Sequence, residues 1–210
     1  MGQVRRTQAE RTAATRAALL TATVDTLVER GYRHTTTTDV ARRAGVSPGA
    51  LLHHFPTKAD LLCAAVGHLF EQRLAEFRKA MADLPPGTSR AEAAIDVLWT
   101  MFSGATFTAW LELWVAARTD PEIADAVVRV DHDFLTASED AFREVFVDET
   151  AADPGLPRIA VGMVFTFLNG LAVAQLVPTY APLDARQLLD IFTALVTSAL
   201  PAEPEGTTPA

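Results

Sequence analysis

The side chains with most capacity for chemistry in this 210-residue chain are its five histidines, its one cysteine and a run of threonines. Their spacing decides which chemistry is open. His53 and His54 are adjacent, so they do not form the i, i+4 helical pair that points two imidazoles at one metal; His34, His68 and His132 are scattered. Cys63 stands in an apolar stretch and reads as a small packing residue. There is no phosphate-cradling glycine loop and no arguable Ser-His-Asp arrangement. No metal, no cofactor and no enzymatic activity are therefore expected. What remains is a set of small, hydroxyl-bearing and basic residues between positions 36 and 58: Thr36, Thr37, Thr38, Arg42, Ser47, Pro48, Gly49, Ala50, Leu52, His53 and Lys58. Hydroxyls at a helix start and a lysine donate to phosphate. A short helix with small outward residues fits a DNA major groove about 12 Å wide.

The elements that must position these residues are helices. Ala13, Ala17, Leu20, Val24 and Leu27 step by four and three, which predicts one apolar stripe on a helix over 8–30, closed by Gly31. Thr36 with Asp39 forms a capping pair that opens a second helix to Ala44. Gly45 breaks that helix, and Ser47-Pro48 supplies the cap and first position of a third, ending near His54. Two such short helices cannot bury a core alone. Val40, Ala41, Ala44, Val46, Leu51 and Phe55 are expected to share an interior with the first helix, which turns Gly49, Ala50, Leu52 and His53 outward. Further helices are expected from Lys58 to about 82 and at about 90–103, 106–118, 121–146, 158–176 and 185–200. The segment 147–157 reads as a loop, and residues 201–210 as a disordered tail. The fold class is thus all-α with about nine helices: a DNA-binding domain over 1–58 and a helical domain over 59–200.

Charge divides along the same line. Residues 1–58 carry a net charge of +5 and the remainder −13, within an overall −8. A basic head on an acidic body directs a polyanion to one end. The longest apolar stretch, Ile159 to Val177, is interrupted by Thr166, Asn169, Gln175 and two glycines, and reads as a buried helix rather than a bilayer span. The polar N-terminus and the single cysteine lead to an expected cytoplasmic location and no membrane partner.

The stretch GYRHTTTTDVARRAGVSPGALLHHFPTKADLL, from Gly31 to Leu62, resembles the signature of the tetracycline-repressor (TetR) family. Gly31, Tyr32, Thr35, Thr36, then Val40, Ala41, Ala44 to Ser47, Gly49, Leu51, His54, Phe55, and finally Lys58, Leu61 and Leu62 stand at the matching positions. One position departs: where the family usually has a tyrosine that bonds phosphate, this chain has Leu52. Leu52 either contacts a thymine methyl or packs, and His53, when protonated, is a substitute phosphate donor. Arg42 reads either as a phosphate contact or as a solvated charge, and Arg5 and Arg6 either as a minor-groove arm or as an untethered terminus.

The resemblance implies a double-stranded DNA operator, a homodimer built on the last two long helices, and release from DNA by a small apolar or amphipathic effector. Pocket candidates are Trp99, Phe102, Thr106, Trp110, Trp114, His132, Phe134, Phe165 and Asn169, an aromatic set with a few polar groups. Dimer-interface candidates are Ala160, Ala172, Ala174, Leu188, Phe192 and Leu195. The competing expectation is a small-molecule binding protein whose DNA-binding head is vestigial, with Leu52 as the feature pointing to it.

Overall fold

The computed structural model describes residues 7–176 and 184–199. Ten α-helices and no strand occur among them: α1 (Gln8–His34), α2 (Thr37–Ala44), α3 (Pro48–His54), α4 (Lys58–Ala82), α5 (Arg90–Phe102), α6 (Ala105–Ala117), α7 (Pro121–Val145), α8 (Val147–Ala152), α9 (Leu156–Gln175) and α10 (Ala185–Ala199). Arg5, Arg6 and the expected tail 201–210 lie outside the described residues.

The helix boundaries follow from local chemistry. Thr7 caps α1 reciprocally, its hydroxyl accepting from the Glu10 N–H while the Glu10 carboxylate accepts from the Thr7 N–H. Gly31 has φ +73° inside the span of α1, and this kink lets the chain continue to His34. Thr36 and Ser47 cap α2 and α3, accepting from the N–H groups of Asp39 and Ala50, and Gly45 closes α2 in the left-handed region at φ +67°. Ser89 does the same for α5 through Glu92.

Two differences from the sequence reading stand out. The segment 147–157 is not a continuous loop: α8 occupies Val147–Ala152, followed by a short turn at Asp153–Gly155. Pro157 then lies in the first turn of α9, where its missing N–H breaks no hydrogen bond. On α1, burial begins only at Leu19; Ala13 and Ala17 are exposed.

The chain divides into two compact units. One holds the described residues up to Arg73 together with Gly104–Leu135, and the other holds Leu74–Ser103 with the described residues from Thr136 onward. In the first unit α1 packs on α2 and α6, and α2 on α3. Its core joins Leu19, Leu20 and Leu27 of α1 to Val40, Ala41, Leu51, Phe55, Leu62, Val66, Leu113 and Ile123. Buried Thr23 and Thr26 satisfy their hydroxyls on the carbonyls four residues back, both at 2.7 Å. Cys63 is buried in the same core, which pushes its thiol up to about 11 and leaves it unreactive at neutral pH.

In the second unit α9 packs on α5 and α8, and α10 on α5. Among the described helices, α9 is long and apolar enough to cross a membrane by those two measures, at 20 residues and mean hydropathy 1.6. Only a third of that window is buried, so the expectation of a buried core helix is met on one face alone. The open face is apolar at helical spacing, with Ile159, Met163 and Val173 exposed alongside Ile191 and Leu195 of α10.

Candidate nucleic-acid interface

The helix-turn-helix is built by α2, the three-residue turn Gly45-Val46-Ser47 and α3, with α1 as buttress. Its interior is the expected one: Val40, Ala41, Leu51 and Phe55 are buried, and Ala44 and Val46 pack partly against them. Leu51 is fully buried, which orients the rest of α3. Gly49, Leu52 and His53 face outward with Leu52 51% exposed, while Ala50 is half-buried.

The cations of the head are arranged in a way the sequence did not disclose. Arg43 donates to both oxygens of Glu29 at 2.6 Å and lies 3.4 Å from Asp25, tying α2 to α1. Its guanidinium holds the Glu29 carboxyl below the usual carboxylate range. Arg42 donates to Asp39 at 2.5 Å, and Arg30 approaches the same carboxylate at 3.5 Å. The Thr36 hydroxyl also donates to Asp39, and with Arg42 lowers the Asp39 pKa. Thr37 is half-buried and Thr38 exposed at the free N-terminus of α2, where N–H groups and the helix dipole favour an anion.

Lys58, a candidate phosphate contact, has an intramolecular partner in the free protomer. Its ammonium donates to the Tyr32 carbonyl at 2.8 Å and sits 4.2 Å from the centre of the Tyr32 ring. Partial burial lowers its pKa. Lys58 therefore joins the start of α4 to the end of α1. Tyr32 is the centre of a larger junction: its N–H donates to Glu112 of α6 at 2.7 Å, and its hydroxyl to Asp120 at 2.5 Å. Pairwise spacing along a sequence carries no trace of such contacts, because they span 80 and 88 residues.

Gly49 has no internal reason to be glycine. A Cβ built there meets nothing within 4 Å, and no positive φ is required of it. It lies in the first turn of α3 on the exposed side, so its smallness leaves the α3 backbone open to a close approach from outside.

The pocket candidates fall into both units. In the first, Thr106 and Trp110 are buried and Phe134 half-buried; Phe70 lies between the last two, edge-on to Trp110 at 5.2 Å and stacked on Phe134 at 4.0 Å. Trp114 and His132 are exposed. In the second unit Phe102 and Phe165 are buried with ring centres 5.2 Å apart, and Trp99 and Asn169 are half-buried. Of the dimer candidates, Ala172 is buried within the protomer, and Phe192 is half-buried and stacks on Phe167 at 3.9 Å. Ala160, Ala174 and Leu188 are half-buried, and Leu195 is exposed. Ile159, Met163, Val173 and Ile191, exposed on the same helices, are not among the sequence candidates. No group of three metal-ligating side chains occurs among the described residues.

Comparison with known proteins places this geometry. Residues 19–65 match the model for bacterial regulatory proteins of the tetR family. The HTH-type transcriptional regulator Rv2912c of Mycobacterium tuberculosis is 33% identical over 93% of this chain and 99% of its own length. CymR, an HTH-type transcriptional regulator of Pseudomonas putida, is 35% identical over 84% of this chain and 86% of its own. A TetR-family regulator from a Rhodococcus species superposes with a TM-score of 0.70 at 22% identity, covering 90% of this chain and 100% of that one. A buttressed helix-turn-helix with the outward face of α3 open, and relatives along nearly the whole length, lead to one conclusion: the chain belongs to the TetR family of helix-turn-helix transcriptional regulators.

Proposed function

We propose that this regulator is a repressor that binds a palindromic operator as a homodimer and leaves it when a small apolar or amphipathic effector binds the helical domain. The observation carrying the reading is the outward face of α3, where Gly49, Leu52 and His53 have no role in the protomer's own core. Thr37, Thr38 and the α2 N-terminus supply phosphate donors beside it, and Arg43 and Lys58 make intramolecular contacts in the free protomer. The exposed apolar residues of α9 and α10 support the dimer, since apolar side chains left open at helical spacing are suited to burial against a partner. Two-fold pairing then presents two copies of α3 to half-sites about one helical turn, or 34–36 Å, apart. The buried and half-buried aromatic side chains suit an apolar effector.

The test is a gel-shift titration of the purified protein on DNA flanking its own gene, at low salt and with unrelated DNA as competitor. A complex of two protomers per duplex that survives the competitor supports the reading. Equal loss to unrelated DNA would remove it.

A further inference from the structure

We infer that Leu52 is a specificity-determining residue that recognises the C5-methyl group of a thymine in each operator half-site. The inference rests on the DNA-binding reading above and goes beyond it by naming what α3 reads. With Leu51 fully buried and the helix advancing about 100° per residue, Leu52 and His53 lie about 60° and 40° on either side of Gly49. These three residues form one outward strip, and a built Cβ on Gly49 would meet nothing within 4 Å. The strip is recessed at Gly49, so the backbone of α3 can come close to a groove floor.

What the strip lacks is as informative as what it holds. The α3 sequence PGALLHH contains no Arg, Lys, Asn or Gln, the side chains that pair bidentately with guanine or adenine edges. The nearby arginines of α2 are engaged by Asp39 and Glu29. Base readout by this helix therefore falls to one imidazole and one isobutyl group. A leucine side chain has neither donor nor acceptor. The thymine methyl is the apolar feature presented by base pairs in the major groove, and an alkyl side chain discriminates by covering it. Leu52 is 51% exposed in the protomer, so this surface is available for burial against DNA. Covering a methyl with this isobutyl group removes apolar surface of both from water, and that gain is lost when the methyl is absent.

The experiment selects binding sites from a random double-stranded library with the full-length protein, then replaces each thymine of the selected site in turn by uracil, which removes the methyl alone. At one thymine per half-site, uracil should weaken wild-type binding about fourfold, or about fifteenfold when both half-sites are changed. Leu52→Ala should bind the thymine site more weakly and show no difference between thymine and uracil there. Because Leu52 is exposed, this variant keeps its fold, checked by circular dichroism. The inference is overturned if uracil is tolerated at every thymine, or if Leu52→Ala keeps the wild-type preference for the methyl. A selection that enriches no sequence removes the DNA-binding reading itself, which separates the two failures.

Discussion

The hydroxyl of Tyr32 donates to the Asp120 carboxylate at 2.5 Å, joining the end of α1 to the residue that precedes α7. Burial first, and this bond second, push the Tyr32 phenol up to about 12 from an ordinary value of 10.0. A raised folded-state pKa means the folded chain holds its proton when the unfolded chain has lost it. The contribution is complete below pH 10 and is lost as pH rises toward 12. Wild-type unfolding free energy should therefore fall over that interval more steeply than that of Tyr32→Phe. In Tyr180→Phe, which leaves Tyr32 as the only tyrosine, absorbance at alkaline pH should show a single ionisation near 12. An ionisation near 10 would contradict the bond.

Glu112 holds the neighbouring backbone. Its carboxylate accepts the Tyr32 N–H, and a Cβ on Gly31 would lie 3.0 Å from the same oxygen. Gly31→Ala meets both that crowding and the strain of φ +73° with ψ 170°, a region essentially confined to glycine, and should cost about 1–3 kcal/mol. Glu112→Ala leaves a part-buried N–H without its acceptor at a similar cost, whereas Glu112→Gln keeps an acceptor oxygen. Denaturant unfolding should rank wild type first, Glu112→Gln next, and the two alanine variants last.

Gly49→Ala should move stability and function in opposite directions. The added methyl has room in the free protomer and improves helix propensity, so thermal unfolding should rise by the equivalent of about 0.5 kcal/mol. Operator affinity should fall, because the methyl intrudes on the close approach of α3. Unchanged affinity would show that close approach to DNA is not what keeps this position a glycine.

Lys58 separates an internal tie from a phosphate contact. A lysine on phosphate contributes nearly one unit to the slope of log affinity against log salt. Since its ammonium is held by the Tyr32 carbonyl and ring, Lys58→Met should leave that slope unchanged while lowering the unfolding temperature. A slope reduced by about one unit per protomer would place Lys58 on the DNA instead.

The helix-turn-helix was legible because its signals are local. Thr36 and Ser47 cap at fixed offsets, Gly45 must take a left-handed conformation, and Leu51 fixes the orientation of its helix. The ties of Tyr32 to Glu112, Asp120 and Lys58 were not legible, since each depends on tertiary proximity between ordinary polar residues. The helix α8 escaped because Pro154, Gly155 and Pro157 are strong breakers and masked the six helical residues before them. The outward stripe of α9 was hidden by a different cause. A helix apolar on most of its circumference has weak periodicity, so Ala172 and Val173 look alike in sequence although one is buried and the other exposed.

If the protein works as a dimer, two copies of α3 read one symmetric site. Hydroxyl-radical footprinting of the full-length protein on DNA flanking its gene puts that geometry to the test. Two protected patches should appear, related by two-fold symmetry and centred about one helical turn apart. Both should persist in excess unrelated DNA and vanish together when Met163→Glu places a charge on the open face of α9. A single patch, or uniform weak protection along the fragment, would contradict paired reading by α3.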